Sequence, residues 1–282
     1  MLTDAFLSRL DTLQLAVRGR ARGGAGGTRR SAQTGSSAEF SDYREYIPGD
    51  DIRRIDWNAL ARFDKLFLKL FMEEQESAVT ILLDASASMA EKWELARQAA
   101  ETAAYLALTG GDRLRVYCLR EDGNRMSPVL SGRPAYARLC QFLDACEPAG
   151  EGCLAEAVRR VDGLRKGLCF VISDCYEEEG IGGTLDYLRY CKQECGVIQP
   201  LSAFEMDPEL DGAVRLEDSE SGRKVEILAD RAVIRDYRKT LERFLDETRG
   251  ECFRREVPYM LLDGRKNFGE EIIPLLVENR FV

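Results

Sequence analysis

The chain has 282 residues, 45% of them hydrophobic and 32% charged, enough for one large domain or a domain with a substantial extension. A net charge of −9 argues against general nucleic-acid binding. The absence of histidine excludes Ser-His-Asp and Cys-His catalysis and His-ligated zinc or haem.

Residues 1–76 are expected to form an N-terminal extension: a helix, a Gly/Arg-rich loop and a polar cap segment. Asp4, Arg9 and Asp11 interrupt the apolar pattern of the first stretch, so an amphipathic helix over 3–17 fits better than a signal peptide. Phe6, Leu10, Leu13 and Val17 share its apolar face. Arg18 to Gly35 lacks an apolar cluster and predicts a flexible loop. In the cap segment, Pro48-Gly49 marks a turn, arginines 44, 53, 54 and 62 alternate with carboxylates, and Trp57 is expected to pack against the following domain. Leu66 to Met72 reads as a strand.

From residue 77 onward strands and helices alternate. Strands are predicted at 78–83, 113–119, 168–172, 196–203 and 257–262. Helices are predicted at 89–109, 135–146, 153–162, 184–194, 230–249 and 269–279, with a hairpin turn near Asp122-Gly123 and another hairpin within 205–228. Apolar strands separated by helices imply an α/β fold with a doubly wound, mainly parallel sheet over 77–282. No stretch approaches the roughly 18 apolar residues needed to span a bilayer. The nine cysteines are scattered and odd in number, so we expect small buried thiols in a reducing cytoplasm rather than a disulfide scaffold.

The most informative segment is Ala78 to Ala90, AVTILLDASASMA, where a buried-type strand ends in one carboxylate and two hydroxyls at alternate positions. Asp84, Ser86 and Ser88 offer the hard oxygen donors that Mg²⁺ or Mn²⁺ takes, with water filling the remaining positions. Asp174, in VISDC, stands at the end of another strand and completes a candidate metal site, since ligands of such sheets bind at carboxyl strand ends.

The string EFSDYREYIPGDDIRRIDWNALAR, then a strand pair and DASASM, resembles the domain of unknown function 58 family, and the likeness runs from about residue 15 to the C-terminus, through FEMDPEL and RLEDSESGRKVEI. That resemblance implies a von Willebrand factor A-like domain with a metal-ion-dependent adhesion site, in which Asp84, Ser86 and Ser88 form the first loop and Asp174 acts through water. It also implies a MoxR-type AAA+ ATPase as partner and no established enzymatic activity. Where such sites carry a threonine, this chain has Gly150-Glu151-Gly152-Cys153, so one oxygen ligand is missing and weaker metal binding is expected.

The function expected is therefore a non-enzymatic protein-interaction module, with Mg²⁺ or Mn²⁺ completed by a partner's carboxylate. One alternative is a metal-independent scaffold that docks through the N-terminal cap. Another is a metal-dependent hydrolase, which is disfavoured because an aspartyl phosphatase needs an acid where Ser86 stands.

Overall fold

The computed structural model describes residues 2–15, 34–47, 50, 52, 55–63, 65–72, 78–177, 179–220 and 222–282. Most of the predicted Arg18–Gly35 loop, the Pro48-Gly49 turn and Asp51, Arg53 and Arg54 lie outside these residues. The chain divides into two compact units, Met1–Ala16 with Ser77–Val282, and Val17–Glu76.

In the larger unit, helix α1 (Asp4–Leu10) is capped by Thr3, whose side chain accepts from the Phe6 amide. It is shorter than its apolar spacing predicts. Its anchor is tertiary: the Phe6 ring lies 5.8 Å from Phe268, the Leu2 amide donates to buried Glu101, and the Tyr105 hydroxyl donates to Asp11. The first helix is thus part of the α/β unit, although the sequence grouped it with the extension.

The smaller unit contains β1 (Thr34–Glu45) and β2 (Phe67–Met72), paired antiparallel, and helix α2 (Trp57–Phe63). Asp56 accepts from the Ala59 amide and from the Tyr43 hydroxyl, tying the helix start to β1. Trp57 is 63% exposed, so it is not the buried aromatic anchor that its place in the sequence suggests.

The central sheet runs β10-β7-β6-β3-β4-β5. Its strands are β3 (Ala78–Asp84), β4 (Arg113–Leu119), β5 (Arg125–Met126), β6 (Gly167–Ile172), β7 (Gln193–Leu201) and β10 (Tyr259–Asp263). All neighbours are parallel except β4 and β5, the hairpin expected near Asp122-Gly123. A separate antiparallel hairpin joins β8 (Gly212–Glu217) and β9 (Lys224–Ala229).

Helices cover both faces. On one lie α1, α3 (Trp93–Thr109), α4 (Tyr136–Asp144) and α9 (Phe268–Glu278). On the other lie α5 (Leu154–Arg159), α6 (Gly182–Tyr190) and α8 (Arg231–Arg254). The alanines of α3, including Ala96, Ala100, Ala103 and Ala107, are buried, because a small-residue face lets the helix approach the strands closely. On the opposite face Leu82, Val171, Val197, Leu154, Leu185 and Cys252 share one core. The doubly wound architecture follows directly: both sides of each central strand are apolar, so both must be covered.

The chain leaves β3 for β4 on one side and later returns to place β6 on the other. That reversal puts a topological switch point between the carboxyl ends of β3 and β6, where such sheets hold their ligands.

Candidate functional site at the carboxyl ends of β3 and β6

Asp84 is the last residue of β3, and the chain beyond it turns into a 3-10 segment, Ala87–Lys92, before α3 begins. The turn is fixed by backbone bonds: the Ala85 amide donates to Leu119, and the Ala87 amide to Gly150. Asp84 Oδ1 accepts from the Ser86 amide at 3.0 Å, and Oδ2 accepts from the Ser173 hydroxyl at 2.6 Å. Burial, then the charge of Asp174, pushes the Asp84 carboxyl up to about 6, against the pull of the Ser173 and Ser86 hydrogen bonds.

The hydroxyl oxygens of Ser86 and Ser88 stand 3.0 Å apart. Mg²⁺ binds oxygen at roughly 2.0–2.1 Å in octahedral geometry, which places neighbouring ligands about 3 Å apart. The pair therefore fits adjacent positions on such an ion. Ser86 links the three residues read from the sequence, its amide on Asp84 and its hydroxyl beside that of Ser88.

Asp174 lies just beyond β6, in a turn where Cys175 adopts a φ of 61°. A β-carbon in this left-handed region costs on the order of 1 kcal/mol or more, so the turn is held by its surroundings. The Cys175 amide donates to the Ser173 hydroxyl oxygen, and buried Gln199 on β7 donates to the Asp174 carbonyl at 2.6 Å. Ser173 thus joins the two strand ends, accepting from its own turn and donating to Asp84.

The Asp174 carboxylate itself faces a cation the sequence reading passed over. Lys92 Nζ stands 2.9 Å from Asp174 Oδ2, although Oδ2 accepts no hydrogen bond of good alignment. Only 2% of Lys92 is exposed. Its ammonium also donates to Glu205 and lies 4.9 Å from the centre of the Tyr176 ring, a cation–π distance. Burial alone would lower the Lys92 pKa; Asp174 and Glu205 outweigh it and hold the group charged. Glu205 belongs to a short helix, α7 (Ala203–Met206), where it forms a capping box with Ser202.

The loop expected to lack a ligand does approach the site. A β-carbon on Gly152 would stand 2.3 Å from the Ser86 β-carbon and 3.0 Å from its hydroxyl oxygen. Glycine is required here by close approach, and a threonine would collide with Ser86 rather than extend a hydroxyl beside it. Glu220, between β8 and β9, brings a carboxylate oxygen to 3.6 Å from the same position. Glu151 and Cys153 are exposed. Among the described residues no group of three or more Asp, Glu, Cys or His side chains is placed to hold a metal. The donor set is therefore one carboxylate and two hydroxyls, while the Asp174 carboxylate faces Lys92. It suits a hard cation that keeps water.

Ser173 is a signal the sequence did carry, a hydroxyl next to a strand-end aspartate. Lys92 and Glu205 gave none, because their partners are distant in the chain.

Fold and site together define an α/β protein whose carboxylate and hydroxyl groups meet at a switch point, a sheet compatible with the von Willebrand factor A-like class. The chain belongs to the family described as Protein of unknown function DUF58, whose model matches residues 42–245. It is 28% identical over 244 residues to uncharacterized proteins of Mycobacterium bovis and Mycobacterium tuberculosis, covering 81% of this chain and 75% of each relative. Among solved structures, the conserved hypothetical protein BatB from Bacteroides thetaiotaomicron superposes with a TM-score of 0.43 at 13% identity, over 72% of this chain and 98% of that one. An aerotolerance-related membrane protein from Bacteroides fragilis gives 0.42 at 15%, with the same coverage. Neither superposition bears on function. Among the described residues no helix is long and apolar enough to cross a membrane.

Proposed function

We propose that this chain is a non-enzymatic interaction module that holds Mg²⁺ or Mn²⁺ at Asp84, Ser86 and Ser88. Asp174 would act in the outer shell, and an acidic group of a partner protein would complete the coordination. The observation that supports it most is the pair of hydroxyls 3.0 Å apart beside the strand-end carboxylate at the switch point. The ion supplies a positive charge with exchangeable water positions, which makes recognition of a partner carboxylate dependent on both charge and geometry. As partner we propose an AAA+ ATPase of the MoxR type, on the family resemblance alone, and as location the cytoplasm, in keeping with nine free cysteines.

Calorimetric titration of Mn²⁺ into the wild type and Asp84→Ala tests the metal. Weak binding that Asp84→Ala abolishes supports the reading; identical isotherms refute it. A second reading, a scaffold that works without metal, is favoured by one observation: Lys92 already sets a positive charge against Asp174. In that case capture of a purified MoxR-type ATPase would be indifferent to EDTA.

A further inference from the structure

The cation that faces Asp174 is covalently part of the chain, and its placement is difficult to account for as ordinary packing. Lysine is among the residues least often fully buried, and an ammonium taken from water needs compensation on several sides. Lys92 has it: Asp174 from the end of β6, Glu205 from α7 after β7, and the face of Tyr176. Two chain segments, the turn after β6 and helix α7, converge on one nitrogen at the end of the 3-10 segment that follows Ser86 and carries Ser88.

We infer that Lys92 is a resident cation that competes with a divalent ion for the charge of Asp174, and so sets how much metal the strand-end site requires. The inference rests on the metal reading given above and specifies how that site is regulated. With no ion bound, Lys92 balances Asp174, and the turn and the β6 end stay together. An ion at Asp84 and the serines brings two further positive charges towards the same carboxylate. Lys92 then either shares Asp174 or is held by Glu205 and Tyr176 alone, and the like charges lower the affinity. Glu205 keeps the ammonium from leaving: its other carboxylate oxygen is engaged by the Ser202 amide at 2.7 Å, so it does not follow the lysine outward.

Mn²⁺ titrations, followed by calorimetry and by the loss of the free-ion electron paramagnetic resonance signal, test this directly. The proteins compared are the wild type, Lys92→Met, Lys92→Arg, Asp84→Ala and the double variant Lys92→Met/Glu205→Gln. Removing the charge should tighten Mn²⁺ binding at least about tenfold, whereas Lys92→Arg, which keeps it, should stay close to the wild type. The double variant guards against misfolding from an orphaned Glu205 and should also bind more tightly. Equal affinity in the wild type and both Met-containing proteins, with loss in Asp84→Ala, overturns the role of Lys92 and leaves the metal site standing. Binding that Asp84→Ala does not affect, or no binding in any protein, overturns both.

Discussion

Replacing Asp84 by asparagine should stabilise the metal-free protein at neutral pH. The carboxyl of Asp84 is raised from 3.8 to about 6, chiefly by burial and then by Asp174. A rise of that size corresponds to about 3 kcal/mol of destabilisation once the group is charged. The folded chain takes up this proton at higher pH than the unfolded chain does. Between about pH 4 and 6 the folded state therefore holds more protons, stability falls as pH rises, and the full cost is present above about pH 6. Asparagine removes the charge but disturbs one of two hydrogen bonds, from Ser173 or from the Ser86 amide, which costs about 1 kcal/mol. The net gain is about 1–2 kcal/mol, or a rise of roughly 2–8 °C in melting temperature for a unit of this size. Thermal unfolding by circular dichroism in EDTA, at pH 7.5 and again at pH 4.5, measures it. The gain should be present at pH 7.5 and absent at pH 4.5, and added Mg²⁺ should raise the wild type without raising the variant. A variant that melts lower than the wild type by the same amount at both pH values would show that Asp84 stabilises the fold, contrary to this reasoning.

Gly152→Thr should destabilise the protein by about 1–3 kcal/mol through overpacking against Ser86, and should not tighten Mn²⁺ binding. A stable variant with higher affinity in calorimetry would show that the loop moves aside. Trp57→Ala should change unfolding free energy by less than about 0.5 kcal/mol, as exposed positions usually do. A drop of several degrees in melting temperature would mean that Trp57 is buried in solution. Phe6→Ala should cost about 3–5 kcal/mol, because the ring is buried against Phe268 in the α/β unit. Urea unfolding that is unchanged by this substitution would detach α1 from that unit.

Beyond residue 77 the fold was readable because the strands are continuous apolar runs and their helices end at glycines such as Gly110-Gly111. The site could be read for a related reason: Asp84, Ser86 and Ser88 are polar where packing would tolerate apolar residues. The strand β1, TGSSAEFSDYRE, has no clean alternation and is specified by its ladder with β2, which a local pattern does not reveal. Trp57 misled for a different reason, since aromatic type speaks for burial on average and not at a given position. Lys92 within AEKWELAR reads as the solvated start of a helix. Its burial comes from Asp174 and from Glu205, 113 positions away, so only the assembled sheet gives it meaning.

The capping box at Ser202 and Glu205 has an experimental use. Helix α7 has four residues, far below the roughly 12 that an isolated helix needs to persist in water. The Glu205 amide donates to the Ser202 hydroxyl oxygen and the Met206 amide to the Ser202 carbonyl, and Glu205 holds this turn in place: its side chain accepts from the Ser202 amide and grips Lys92, and its carbonyl accepts from the Tyr237 hydroxyl on α8. Hydrogen exchange at the Glu205 and Met206 amides becomes a gauge of events at the strand ends, read without a partner in hand. A ligand that draws Lys92 away from Glu205, or settles it there more firmly, will change the rate at which those two protons leave.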